Sequence, residues 1–333
     1  MASIRVLVVD DSFMMQTLVS SALERIPNVE IVGEAASAAE ARELVPQLHP
    51  DVMTLDVEMP GMSGIEYLAE IMSTRPMPVI IFSARATEGA AESIEALRLG
   101  AIDCFPKPRA AQSEMDAMIA KLGKSVKAAK DAKLRLLKPE GAQSTIPPID
   151  WNGRLLVVGG DTLSTAELFE IFSAFPDNCP PTLVVQHLGP GLLEGLVSKL
   201  DEQIAPQVVV AADGMTPEQG TIYFAPTGEH HLVIDAWPTG TLRLLARDPV
   251  KGERPSISLL FAAAAKAAGT EVVGIMLARD SEDGAGGLKV LRDAGAHAFS
   301  VGDEGEYLLQ RRLSSQPVAH DALAAGILKV CAK

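Results

Sequence analysis

Short apolar, β-branched runs recur along this chain, most of them ending in a carboxylate or another polar group and followed by a stretch of helical spacing. Arg5 to Val9 runs into Asp10 and Asp11, Val52 to Leu55 into Asp56, Pro78 to Phe82 into Ser83, and Ile102 to Phe105 into Pro106-Lys107-Pro108. Val29 to Val32, closed by Gly33, supplies one more run. Between them, Ser12 to Arg25, Ala35 to Leu48, Gly64 to Ser73 and Ala90 to Leu99 carry apolar residues at helical intervals. Runs too short for helices, yet apolar on both faces, are strands buried on both sides. Their alternation with helices specifies a parallel sheet covered on both faces.

The pattern starts afresh at Trp151. Leu155 to Val158 ends in Gly159-Gly160-Asp161, and Thr182 to Gln186 ends at His187. Val208 to Ala211 and Val272 to Leu277 are further strands, with helices over Thr165 to Ala174, Gly191 to Leu200, Ser256 to Ala268 and Ala285 to Ala294. Thr221 to Ala225, His231 to Ala236 and Thr241 to Ala246 read as an antiparallel meander whose second turn is Pro238-Thr239-Gly240. The expected architecture is therefore α/β: two doubly wound parallel-sheet domains, over residues 1–122 and 151–333. Between them, residues 123–150 form a basic helix extension and linker. Lys121, Lys124, Lys127, Lys130, Lys133, Arg135 and Lys138 lie close together there, before Pro139, Gly141, Pro147 and Pro148 break regular structure. The lysines read as a solvated face or as a contact surface for acidic partner helices or the acidic domains.

Length agrees with two domains, at roughly 100–200 residues each, since the chain has 333 residues. Its formal charge of −14 makes nucleic acid an unlikely main partner, because the net field repels phosphate backbones. Cys104, Cys179 and Cys331 are odd in number and far apart, without zinc or CxxC spacing, which fits a reducing cytoplasm. The N-terminus becomes acidic by residue 10, unlike a signal peptide, and no apolar run is long enough for membrane insertion.

In a parallel α/β sheet, ligands bind beyond the carboxyl ends of the strands. Asp10, Asp11 and Asp56 can converge there as an all-oxygen set suited to Mg²⁺. Ser83 and Lys107 add a hydroxyl and a cation on the same edge. Each of these residues alone fits a helix cap or a loop acid. Five of them, each at a strand end, instead suit phosphoryl transfer, with Asp56 attacking phosphorus while cations neutralise the phosphate. The segments VLVVDDS, LDVEMPGMSG, IFSA and CFPKP closely resemble the receiver domain of bacterial two-component response regulators, over about residues 3–122. The resemblance implies a flavodoxin-like fold, phosphorylation of Asp56 by a histidine kinase, and Mg²⁺ held by Asp10, Asp11 and Asp56. Ser83 would follow the phosphoryl group, Phe105 would be the aromatic switch, and the Lys107-Pro108 bond would be cis.

The second half, through LVVQHLGPG, DGMTPEQGTIYFAPTGEHHL, GERPSISLLF and EDGAGGL, resembles the chemotaxis protein-glutamate methylesterase family over about residues 153–300. That family hydrolyses γ-methyl esters of glutamates on methyl-accepting chemoreceptor helices, and some members deamidate glutamines. It uses a serine nucleophile, a histidine base and an orienting aspartate. His187 and Asp283 match the base and the aspartate. The serine does not carry over. In Gly159-Gly160-Asp161-Thr162-Leu163-Ser164, Asp161 stands where the family's Gly-Ala-Ser-Thr-Gly-Gly turn has serine. Leu277 to Asp283 likewise departs from the family's Leu-Thr-Gly-Met-Gly-x-Asp. Losing a triad nucleophile costs about 10⁶ in turnover, and a carboxylate opposes an oxyanion. The expectation is a chemotaxis-type response regulator in which Asp56 phosphorylation gates a methylesterase-like domain that acts on or docks to chemoreceptors. Esterase activity is weak or absent, making the domain a pseudoenzyme. Two alternatives stay open: an active methylesterase or glutamine deamidase using Ser164 as nucleophile, and new chemistry on Asp161.

Other polar residues carry weaker readings. His230 and His231 lie at a strand start, where one is expected to face solvent and a metal role stays open, and Asp161, His187 and Asp283 have the residue types for a divalent ion. Gly284 to Gly287 lacks the Lys-Ser/Thr of a P-loop and reads as a helix N-terminus.

Overall fold

The computed structural model describes residues 3–83, 91–107, 112–131, 146–189, 191–278, 282–301, 307–311, 314–319 and 322–333. The chain divides into two compact units, Met1–Ala142 and Gln143–Lys333.

The first unit runs β1 (Ile4–Val9), α1 (Phe13–Glu24), β2 (Val29–Ala35), α2 (Ala38–Leu48), β3 (Val52–Asp56), α3 (Gly64–Thr74), β4 (Val79–Ser83), α4 (Ala91–Arg98), β5 (Asp103–Pro106) and α5 (Gln112–Asp131). Its five strands are all parallel, in the order β2-β1-β3-β4-β5. Chain direction across the sheet reverses between β1 and β3, so a crevice opens where Asp10 and Asp56 end their strands. β3 and β4 are buried along their whole length, as continuous apolar runs require. The helices start on local chemistry. Ser37 Oγ accepts the Glu40 N–H at the head of α2, and Ser63 and Glu66 cap one another reciprocally at the head of α3. Helix α5 buries Leu122, Val126 and Ala129 and leaves Lys124 and Lys127 in solvent. Lys133, Arg135, Lys138 and the Lys107-Pro108 bond lie outside the described residues.

The second unit runs β6 (Leu155–Gly160), α6 (Thr165–Ser173), β7 (Thr182–Gln186), α7 (Leu193–Gln203), β8 (Gln207–Val210), β9 (Thr221–Phe224), β10 (His231–Ile234), β11 (Leu242–Leu245), α8 (Ile257–Ala268), β12 (Val272–Met276), α9 (Ala285–Asp293), β13 (His297–Val301), β14 (Tyr307–Arg311), β15 (Ser314–Val318) and α10 (Leu323–Cys331). Six parallel strands lie in the order β13-β12-β6-β7-β9-β8, and β14 and β15 extend the sheet antiparallel beyond β13. The reversal point here lies between β6 and β12.

The expected meander is corrected to a hairpin. β10 and β11 pair with each other, His231 opposite Leu245 and Ile234 opposite Leu242, while β9 belongs to the main sheet. The reason is burial: Ile222, Tyr223 and Phe224 are all inside, which suits a strand covered on both faces and not a half-exposed hairpin. The β14–β15 hairpin and α10 follow the region where the recognisable motifs end.

Residues 150–152 close onto the last turn of the chain. Trp151 bridges Ala332, the Asn152 N–H donates to Cys331 O at 2.9 Å, and the Lys333 N–H donates to Asp150 O at 2.8 Å. The three cysteines are free and buried. Burial pushes the Cys179 and Cys331 thiols up to about 12, far from reactive thiolates. Among the described residues, no helix is long and apolar enough to cross a membrane.

Gly64 fixes how α3 leaves the edge where the strands end. Its N–H donates to Val57 O at 2.9 Å, and a Cβ there would sit 1.9 Å from Asp56 O, a backbone atom that cannot swing aside. Gly64→Ala is therefore expected to destabilise the first unit by about 1–3 kcal/mol, the cost of overpacking. A urea midpoint equal to that of the unsubstituted protein would contradict this.

Candidate functional site

Two polar clusters occupy strand ends, one in each unit. In the first, Asp10 and Asp56 are buried and Asp11 is exposed, and their carboxylate oxygens lie within 4.8 Å of one another. Lys107, just past β5, holds the pair together: Nζ is 2.7 Å from Asp56 Oδ2 and 3.1 Å from Asp10 Oδ2. The second oxygens are also engaged. Asp10 Oδ1 accepts the Ser12 N–H at 2.9 Å and Asp56 Oδ1 accepts the Glu58 N–H at 3.2 Å. Gln16, buried under this edge, donates to the carbonyls of Asp10 and Ala35 and so clamps the ends of β1 and β2 together. Sequence reading did not single out Gln16, since a helical glutamine looks like any solvated residue until the strand ends are placed.

Burial pushes the Asp56 carboxyl up from the ordinary aspartate range. The Lys107 hydrogen bond pulls it back, Asp10's charge raises it again, and the net shift is upward. Burial alone would lower the Lys107 ammonium, but its hydrogen bonds to Asp56 and Asp10 and their charges outweigh this, so it is held above its ordinary value. Ser83 is buried on the neighbouring strand end, and its carbonyl accepts the Lys107 N–H at 3.0 Å. Phe105 is buried two residues before Lys107, with its ring 5.7 Å from that of Phe82. The oxygen-only set of Asp10, Asp11 and Asp56 fits a hard divalent cation such as Mg²⁺. Among the described residues, it is the one group of three or more ligating side chains gathered this closely. The alternative ion set of Asp161, His187 and Asp283 is not so gathered.

In the second unit, Asp161 follows β6, His187 follows β7, and Asp283 precedes α9. Asp161 and Ser164 form a reciprocal cap around the 3₁₀ turn Thr162–Ser164 that leads into α6. Asp161 Oδ1 accepts the Ser164 N–H at 3.1 Å, Ser164 Oγ accepts the Asp161 N–H at 2.9 Å, and the Ser164 hydroxyl donates to Asp161 O at 2.8 Å. Ser164 is 1% exposed, and in this arrangement its hydroxyl proton is committed to the turn. Thr162 Oγ1 reaches the His187 carbonyl at 3.3 Å, and the His187 N–H donates to Gly160 O at 3.0 Å, so the two loops are stitched together.

Asp283 does more than face the histidine. Its side chain is fully buried and accepts from Ile257 N at 2.6 Å, Ser258 N at 3.0 Å and Ser256 Oγ at 3.0 Å, which anchors the N-terminus of α8. His187 Nε2 lies 3.7 Å from Asp283 Oδ2 and 2.9 Å from Pro255 O. A carbonyl only accepts, so Nε2 carries a proton and Nδ1 is the nitrogen that accepts one in the neutral ring. Pro255, which follows a cis bond after Arg254, is the orienting group that sequence reading missed. A backbone carbonyl leaves no trace in residue type.

Of the two histidines at the start of β10, His231 is held in the core. His231 is fully buried: its Nδ1 accepts the Ser256 N–H at 3.1 Å and its Nε2 donates to Asp248 O at 3.1 Å. Both nitrogens are used in joining β10 to the start of α8, so the metal reading of His231 is withdrawn.

Comparison with known proteins adds the following. The CheB methylesterase family matches residues 156–305 and the response regulator receiver domain family matches residues 6–120. A protein-glutamate methylesterase/protein-glutamine glutaminase of Agrobacterium fabrum is 42% identical over 304 residues, covering 90% of this chain and 87% of its own length. A relative of the same description from Caulobacter vibrioides is 41% identical over 299 residues, covering 89% of this chain and 87% of its own. The catalytic domain of Thermotoga maritima CheB methylesterase, a solved structure, is 28% identical, with a TM-score of 0.42 over 44% of this chain and 78% of that one.

Two expectations follow from the geometry. The raised Asp56 carboxyl means that the folded protein binds that proton more tightly than the unfolded chain. Its contribution to stability is full below the ordinary aspartate range and is lost as pH rises through the elevated folded value. Asp56→Asn should therefore be more stable than the parent at neutral pH, with the gap closing in acid, as read from denaturation midpoints across pH. A constant gap would contradict the linkage. Asp283→Ala should cost about 2–4 kcal/mol, because it removes a cap and strands buried N–H groups. His187→Ala should cost about 1 kcal/mol or less, because the bond it loses is a single ordinary one. Equal losses would mean that Asp283 does not anchor α8.

Proposed function

Since this chain belongs to the CheB methylesterase family, with a response-regulator receiver ahead of the esterase domain, we propose that it is a chemotaxis-type regulator. In this reading a histidine kinase phosphorylates Asp56, and the effector domain hydrolyses methyl esters, or amides, of glutamyl side chains on chemoreceptor helices. The observation that carries the receiver half is Lys107 bridging Asp10 and Asp56 beside Asp11.

An Asp56 oxygen attacks phosphorus, the bond from phosphorus to the donor's histidine nitrogen breaks, and that nitrogen keeps the electron pair. The Asp56 oxygen hydrogen-bonded to Lys107 is already aligned with a cation, so charge appearing on the phosphoryl oxygens meets an ammonium held in place beforehand. Ser83, buried at the adjacent strand end, offers a hydroxyl to the same group. Mg²⁺ bound by Asp10, Asp11 and Asp56 would neutralise phosphoryl charge. Phosphorylation gates the effector domain as a population shift, by stabilising its active state more than its inactive one.

The names of the relatives support a hydrolase better than a silent domain. In the effector domain, His187 is the base and Pro255 O and Asp283 orient it, while Ser164 is the hydroxyl nucleophile. Freeing Ser164 from its cap costs about 1–2 kcal/mol, about tenfold in rate. That is small beside the roughly 10⁶ lost without any nucleophile. One observation favours a second reading, in which the domain docks on receptors without turnover. The Ser164 hydroxyl is bonded inside a buried turn, and the resemblance puts Asp161 where the family has its serine.

The test is methanol release from methylated receptor with acetyl phosphate and Mg²⁺ present, alongside receptor binding by sedimentation. Release that falls at least a thousandfold in Ser164→Ala and in His187→Ala supports hydrolysis by Ser164. Release that survives Ser164→Ala overturns that assignment and points to Asp161. Binding without release, restored or not by Asp161→Ser, establishes the docking reading. Neither release nor binding overturns both. Asp56→Ala should abolish stoichiometric labelling by a phosphodonor, and persistent labelling would overturn the receiver assignment.

A further inference from the structure

Strand β5 points one row of side chains toward a single face: Asp103, Phe105 and, just beyond its end, Lys107 are two residues apart. Lys107 touches the carboxylates Asp56 and Asp10. The other two meet one residue of α5. Lys121 Nζ lies 4.9 Å from the centre of the Phe105 ring and 3.6 Å from Asp103 Oδ2. Asp103 is itself held rigidly. Its Oδ2 accepts the Ser125 hydroxyl, one helical turn after Lys121, at 2.8 Å, and its Oδ1 accepts the Cys104 N–H at 2.8 Å. Asp103 is 5% and Phe105 1% exposed, whereas the Lys121 side chain is half in solvent.

A cation over an aromatic face and an ion pair to a nearly buried carboxylate set Lys121 apart from Lys124 and Lys127, which lie in solvent on the same helix. We infer that Lys121 is a positioning residue: it seats the Phe105 ring in its buried place and thereby ties helix α5 to the Asp56 pocket through β5. The inference rests on the reading of Asp56 as the phosphoacceptor. A group on Asp56 would meet Lys107, already 2.7 Å from the carboxylate, and Ser83, both at the ends of the paired strands β4 and β5. A Phe105 ring already seated behind them need not be ordered when that happens. Lys121 therefore favours the phosphorylated arrangement, and its effect is the size of a cation–π contact, a fewfold change in affinity.

The test uses the full-length protein and beryllofluoride with Mg²⁺ as the phosphoryl probe, titrated by calorimetry. The unsubstituted protein should bind and Asp56→Ala should not. Absence of binding to the unsubstituted protein overturns both this inference and the phosphoacceptor reading beneath it. Given binding, Lys121→Met should weaken it two- to fivefold, Lys121→Arg should restore it, and Lys124→Met, which removes the same charge, should leave it unchanged. Fluorophenylalanine labelling, with the Phe105 resonance assigned by Phe105→Leu, should show that resonance shifted or broadened in Lys121→Met and restored in Lys121→Arg. Unchanged or tighter binding in Lys121→Met, an equal loss in Lys124→Met, or an unmoved Phe105 resonance would overturn the inference while leaving Asp56 as phosphoacceptor.

Discussion

A parallel sheet covered on both faces has no room for polar chemistry except where its strands end, and both units of this chain are organised by that constraint. Strands β3 and β4 are buried throughout, yet they finish in Asp56 and Ser83. The cost of placing Asp56 and Asp10 at such an edge is met by one ammonium shared between them. Without Lys107 the two like charges would face each other across a half-dry crevice. The upward shift of the Asp56 carboxyl shows that the compensation is incomplete. Carboxylates compensated only in part leave room for further positive charge, which is what a hard divalent cation would bring.

The second unit spends its strand-end groups differently. Asp283 is a buried carboxylate whose nearest obligations are two backbone N–H groups and a hydroxyl at the start of α8, with the His187 ring farther off at 3.7 Å. A residue of this kind persists for folding whether or not the site turns over. Its presence in the chain is therefore evidence about architecture before it is evidence about hydrolysis. Asp161 is similar: its carboxylate caps the turn into α6, a task that aspartate performs as well as serine does.

Much of this was legible in residue order. The acidic cluster was, because five polar residues each closed an apolar run and a parallel sheet sends such positions to one edge. Four of the six parallel strands of the second unit were legible; β13 was not singled out, and in β9 Thr221–Phe224 has the length and composition of a hairpin strand, so only its full burial assigns it to the main sheet. Pro255 O as the partner of His187, Gln16 as a clamp on two strand ends, and Lys121 over Phe105 were not legible. Each depends on a backbone carbonyl or on a contact between elements far apart in sequence, and neither leaves a local pattern. The role of Ser164 was open for a related reason: a Ser-Thr pair at a helix start reads equally as a cap or as a nucleophile until the hydroxyl's partner is known.

The effector unit's entry and exit segments are zipped to each other, with Trp151 bridging Ala332 and Asp150 and Asn152 bonded to the last residues. A body whose two ends meet at one point can be grafted into a surface loop of another protein with little stretching of either chain, or rejoined there and reopened elsewhere. In the second unit the approach to β6 and the end of α10 therefore share one hydrogen-bonded seam.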